Sequence, residues 1–171
     1  MGFNNVAHSF KLNSESLRRE YAVYVVIISA INETKLYVGK TGDNREGCNP
    51  IISRCGNHFS YNKIHSQIRN KIKKHENYEY SYVFEHFGKY PKDSETRKKQ
   101  VDQINEMERW LNLEIQKLSK SKYEVLNPYK GTGYIKPIEK THRASFHTKM
   151  NELKIMGIVE EVKKLLKAYK N

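Results

Sequence analysis

Residues 21–28 (YAVYVVII) restrict the fold more than any other stretch of the chain. The run is apolar, mostly β-branched or aromatic, and too short for a buried helix, so it reads as a buried strand. Side chains alternate along a strand, which puts Ala22, Tyr24, Val26 and Ile28 on one face. Residues 29–34 are turn-like, with Asn32-Glu33-Thr34 as the tip, and residues 35–39 form a second short strand. The simplest arrangement of the two is a hairpin.

Further along, Asn49-Pro50 marks a helix start, and the helix runs to Phe59 despite Gly56, which costs about 1 kcal/mol relative to Ala. A second helix is expected over 62–74, and a third strand over 78–87 (YEYSYVFEHF). A long helix over 94–118 carries Ile104, Met107, Leu111, Ile115 and Leu118 at three- and four-residue steps. Residues 123–127 read as a short extended edge, and residues 129–146 as a basic loop. A final amphipathic helix over 150–169 presents Leu153, Met156, Val159, Val162, Leu165, Leu166 and Tyr169. A short helix near 14–20 precedes the first strand. The expected fold is α+β: a small three-stranded, mainly antiparallel sheet flanked by helices, with an added C-terminal helix. The expected division is an N-terminal extension (1–20), a core (21–128), and a basic loop with the last helix (129–171).

Lys and Arg total 31 against 19 Asp and Glu, a formal charge of +12 that favours a polyanionic partner. One run, 61–75, holds Lys63, Arg69, Lys71, Lys73 and Lys74 with no acid. Another, 129–149, holds Lys130, Lys136, Lys140, Arg143 and Lys149 against Glu139 alone. Either can track a nucleic-acid backbone, since such contacts give affinity without sequence information. His142 and His147 fall in the second run and are expected to be solvated or near phosphate. Two cysteines, Cys48 and Cys55, make no disulfide scaffold, and the six residues between them exceed usual zinc spacing. Gly39-Lys40-Thr41 resembles the end of a phosphate-binding loop but lacks its first glycine, because position 34 is Thr. Residues 1–10 lack the charged start and apolar run of a signal peptide, and no apolar run reaches membrane-spanning length. The expectation is a cytoplasmic protein without a membrane partner.

Arg54 and His58 are four residues apart on the helix after the hairpin, and so share one face. With the two strand tyrosines, they resemble the GIY-YIG nuclease superfamily. Ala22-Val23-Tyr24 stands at the first tripeptide, with Ala in place of Gly, and Tyr37-Val38-Gly39 at the second. Twelve residues separate the tyrosines. Met107-Glu108-Arg109-Trp110-Leu111 fits the segment bearing the family's metal-binding Glu, and Asn127 in Leu126-Asn127-Pro128 fits its structural Asn. Glu114 is an alternative to Glu108, which is favoured for its place beside the buried stripe. The long loop over 42–49 is similar to that of the restriction endonucleases within the superfamily.

The resemblance implies a metal-dependent endonuclease that hydrolyses phosphodiesters in duplex DNA, most like a type II restriction enzyme acting as a homodimer. Tyr24 or Tyr37 would lie near the attacking water, with Tyr24 as proton acceptor, its pKa lowered by a nearby cation. Arg54 would hold the phosphate, His58 would relay a proton or orient a tyrosine, and Gly39 and Asn127 would be structural. Glu108 would bind one Mg²⁺ or Mn²⁺ per active site. Lys40 would touch phosphate or remain solvated. The alternatives are a homing or repair-type nuclease of the same superfamily and a non-catalytic nucleic-acid-binding protein on the same scaffold.

Overall fold

The computed structural model of the chain describes residues 7–42, 50–120, 122–131 and 136–169. Strand β1 (Glu20–Ala30) pairs antiparallel with β2 (Glu33–Lys40), so that Tyr24 faces Gly39 and Val26 faces Tyr37. The turn is Ile31–Asn32; Glu33 and Thr34, expected at its tip, already belong to β2. Strand β3 (Glu79–Lys89) pairs antiparallel with the other side of β1. The edge at 124–125 is a true strand, β4 (Glu124–Val125), parallel to β2. The sheet is therefore mixed and four-stranded, in the order β3-β1-β2-β4, rather than three-stranded.

Every residue of β1 from Tyr21 to Ser29 is buried, because both faces of the sheet are covered. On one face Tyr21, Val23, Val25, Ile27, Leu36 and Val38 meet helices α2 (Ser94–Ser119) and α4 (Lys149–Ala168). On the other, Tyr24, Val26, Ile28 and Tyr37 meet Ile51 of α1 (Ile51–Phe59) together with Ile68 and Ile72. Helix α2 starts where Asp93 accepts a bond from the Thr96 amide and ends at Lys120, which has a left-handed backbone (φ 35°). Proline 50 caps α1 through its backbone conformation rather than occupying the first helical position, and Asn49 lies outside the described residues.

Three expectations are corrected. Residues 62–74 form turns, not a regular helix. The Arg69 amide donates to His58 O, so the isolated helix-type bonds of Ser66 N to Asn62 O, Asn70 N to Ser66 O and Ile72 N to Ile68 O do not run on into a helix. No acid in the segment offsets its five cations through helix-spaced pairs. Next, the basic loop over 129–146 contains α3 (Pro137–Ala144), started by Pro137 and closed by an Arg143–Glu139 ion pair of 2.6 Å. Last, α4 presents a face rotated from the expected one. Asn151, Ile155, Ile158, Val159, Val162 and Leu166 are buried, whereas Leu153 and Met156 are exposed. Asn151 sets the rotation by donating to Phe146 O at 2.8 Å from inside the core.

Among the described residues, no helix is long and apolar enough to cross a membrane.

Candidate active site

Strand pairing places Tyr24 and Tyr37 on the α1 face of the sheet, and α1 lowers Arg54 and His58 onto them. His58 is fully buried and stands between two phenols: its Nε2 lies 3.0 Å from the Tyr24 hydroxyl and its Nδ1 2.9 Å from that of Tyr82. Tyr37 meets the same imidazole edge-on at 5.3 Å. Burial, aided by the nearby Arg54 charge, lowers the His58 pKa to about 4, so the ring is neutral near pH 7. A neutral imidazole offers one donor and one acceptor. The Tyr82 hydroxyl is also in hydrogen-bonding contact with the Cys55 thiol. Held between the two hydroxyls, the ring therefore donates to one phenol and accepts from the other.

Burial also raises the Tyr24 pKa well above that of a free phenol. Arg54, bonded to the same hydroxyl, opposes the shift without cancelling it. The expectation that a neighbouring cation lowers this pKa is therefore corrected: the cation is present, but desolvation outweighs it. Tyr24 is 0% exposed, whereas Tyr37 keeps 7% of its surface open, and among the described residues no hydrogen bond engages the Tyr37 hydroxyl. Burial and the Glu108 charge raise the Tyr37 pKa.

Glu108 comes from α2, which packs on the opposite face of the sheet, and its charge acts on Tyr24, Tyr37 and Arg54. Because β4 spans only Glu124–Val125, it leaves Val38–Lys40 without a strand partner on that side. Burial raises the Glu108 pKa, and Lys40 and Arg54 draw it back down. Lys40 is half-buried, donates to Gly42 O at 3.4 Å, and belongs to the site's electrostatics. Glu114 is engaged elsewhere, in a 2.7 Å pair with Lys117. Arg54 leaves its Nε buried without an acceptor among the described residues, an atom that an anion entering the site would satisfy.

The metal implied by the resemblance can be tested against these donors. Glu108 is one carboxylate among cations and phenols, and no cluster of three or more His, Cys, Asp or Glu side chains forms among the described residues. That donor set fits a hard cation such as Mg²⁺, which keeps most of its waters and shares substrate phosphate oxygens.

Gly39 and Asn127 hold the frame. A β-carbon on Gly39 would come within 2.5 Å of the Tyr24 ring, so only glycine fits there. The Asn127 side chain accepts from Val38 N (3.1 Å) and donates to Val38 O (2.6 Å), continuing the ladder beyond β4. Asn112, not singled out by the sequence, fixes Asn127 in turn. It donates to Asn127 O at 2.8 Å and accepts from Tyr129 N at 2.9 Å. A buried Asn on an otherwise apolar stripe was its only signal.

The expected nucleic-acid contacts are dispersed. Lys63, Lys71, Lys73 and Lys74 are exposed on the turns over 61–75, while Arg69 is half-buried with its guanidinium 4.6 Å from the Tyr61 ring centre. Lys130, Lys136 and Lys140 are exposed, and Arg143 is paired with Glu139. His147 is not simply solvated. It lies 2.7 Å from buried Glu106 and stacks on Trp110 at 4.1 Å. A further basic cleft of about 690 Å³ was not anticipated; Lys89, Lys92 and Arg97 line it, beside Tyr90. Cys48 and Asp43–Asn49 as a whole lie outside the described residues.

Comparison with protein-family models, with curated proteins and with solved structures gives no match for the chain.

Proposed function

We propose that the chain is a metal-dependent DNA endonuclease that hydrolyses phosphodiester bonds, of the GIY-YIG kind and most like a type II restriction enzyme. The observation that carries this reading is the convergence of Tyr24, Tyr37, Arg54 and His58 from three elements, with Glu108 reaching them from a fourth. Packing alone does not call for a half-buried guanidinium with an unpaired Nε beside a carboxylate and two phenols.

In this reading Arg54 holds the scissile phosphate through two parallel bonds and stabilises the charge that builds on it. The Tyr37 hydroxyl, which keeps open surface, positions the attacking water. Tyr24 takes a proton from that water while passing its own to His58 Nε2, so the neutral phenol acts as a relay and no free phenolate is required. Because Tyr24 is enclosed in the free protein, substrate entry has to open a path to its hydroxyl. The hydroxide formed attacks phosphorus, the opposite P–O bond breaks, the leaving oxygen is protonated from solvent, and His58, whose pKa of about 4 makes it hold a proton only briefly, returns the one it took to solvent. A bound Mg²⁺ would supply Lewis-acid stabilisation of the phosphate and the leaving oxygen at Glu108. Cutting both strands requires two such sites, hence a twofold dimer on duplex DNA. The net charge of +12 supports a polyanionic substrate.

Incubation with plasmid DNA and Mg²⁺, resolved on a gel, tests the reading. Discrete linear fragments are the expected result. Nicked circles select a homing or repair-type nuclease, and DNA that is bound but unaltered with every divalent ion selects a non-catalytic binding protein.

A further inference from the structure

We propose that the cleft between α2 and α3 receives a nucleobase flanking the scissile phosphate, and that Asn105 reads its edge. The inference rests on the endonuclease reading. The cleft has a volume of about 600 Å³ and Glu108 forms part of its wall, so a ligand here adjoins the reacting group. That volume suits a group the size of a nucleotide.

The charges of the wall select against phosphate. Asp102, Glu106, Glu108 and Glu139 bring four carboxylates, against the permanent cations Arg109, Lys130 and Arg143. Most of these cancel in place: Arg109 pairs with Glu106, Arg143 with Glu139 at 2.6 Å, and His142 approaches Asp102 at 3.4 Å. A cleft with no net positive charge exerts no pull on an anion, but it accepts a neutral heterocycle. Pro128, Tyr129 and Phe146 supply apolar wall, and Arg109 lies 5.7 Å from the centre of the Tyr129 ring. Such flat surfaces stack well on bases.

Among the amide side chains of the wall, Asn105 is the one left over, since Asn112 and Asn127 are bonded to main chain. It is exposed, lines the cleft, and its side-chain amide makes no hydrogen bond among the described residues. It sits three residues before Glu108, on the same side of α2. An Asn amide presents one donor and one acceptor side by side, the pattern that matches N6 and N7 of adenine. The proposed ligand is therefore an adenine of the strand being cut.

The test is cleavage of a duplex library with randomised sequence, in the presence of Mg²⁺, with the cut ends sequenced. Wild-type protein is expected to favour adenine at one position close to the cut. Asn105→Ala should lose about tenfold to hundredfold of that preference, at that position alone. Substituting 7-deazaadenine there should reproduce the loss for the wild type and leave Asn105→Ala unaffected. An unchanged profile in the variant, or a uniform fall at every position, overturns the assignment while leaving the endonuclease standing. A wild type that cuts no DNA overturns both.

Discussion

Tyr24 lies directly across the β1–β2 ladder from Gly39, so close that a β-carbon on Gly39 would fall 2.5 Å from the phenol's Cζ and Oη. The glycine is thus the floor on which the ring rests. Gly39→Ala must push the ring away from His58 and break the 3.0 Å contact to Nε2. Overpacking of this kind costs about 1–3 kcal/mol. Urea denaturation should record that loss, and DNA cleavage should fall even where the variant is fully folded.

Glu108 and Glu114 give a sharp contrast on one helix. Glu108→Ala should abolish Mg²⁺-dependent cleavage, because Glu108 is the carboxylate whose charge is felt at Arg54 and which Lys40 and Arg54 stabilise in turn. Glu114→Ala removes a partner of Lys117 and should leave cleavage within about twofold, in keeping with the small worth of an exposed ion pair. Arg54→Ala should lower the single-turnover rate at least about 100-fold, as loss of a transition-state donor does. A Glu114→Ala variant that is dead beside an active Glu108→Ala would reassign the metal ligand.

His58 ties stability to pH. Its pKa falls from 6.5 in the unfolded chain to about 4 in the fold. Between those values the unfolded state binds the extra proton, so stability rises with pH through this window and is lost as pH falls from 6.5 towards 4. The slope is at most about 1.4 kcal/mol per pH unit. Denaturation midpoints measured across the window should fall for the wild type and flatten for His58→Asn. An unchanged slope in the variant would place the titration elsewhere.

Asn112→Ala should be more damaging than an ordinary surface change. It removes bonds to Asn127 O and Tyr129 N from a side chain only 5% exposed. Leaving those backbone groups unsatisfied costs about 1–3 kcal/mol. Amide hydrogen exchange should then accelerate at Tyr129 and at Val38, which Asn127 holds, while β1–β3 pairing stays protected.

The parts legible in the sequence were those written in periodicity. The β1 run, the alternation of β3 and the stripe of α2 read through to elements within one or two residues of their ends. What stayed hidden depended on partners distant in the chain. Residues 62–74 have the composition of a helix, but they are held as turns by bonds such as Arg69 N to His58 O. The face of α4 was misread because a polar residue, Asn151, sits where an apolar one was sought. For the site, the spacing of Arg54 and His58 was readable, whereas the Tyr82 contribution was not: it sits on a strand 24 residues beyond His58 and carries no motif. The sign of the Tyr24 shift was also hidden, since desolvation is a property of the assembled core.

Asn127 has a consequence beyond the site. By occupying both main-chain groups of Val38, its amide closes that position of β2, beyond the end of β4, to an incoming strand. At the far rim the His86 main chain is taken as well, its N–H by the Glu85 carboxylate and its carbonyl by the Lys154 ammonium. A chain with a long, valine-rich central strand carries an inherent hazard of stacking into fibrils; side chains that occupy the main chain at Val38 and His86 work against it.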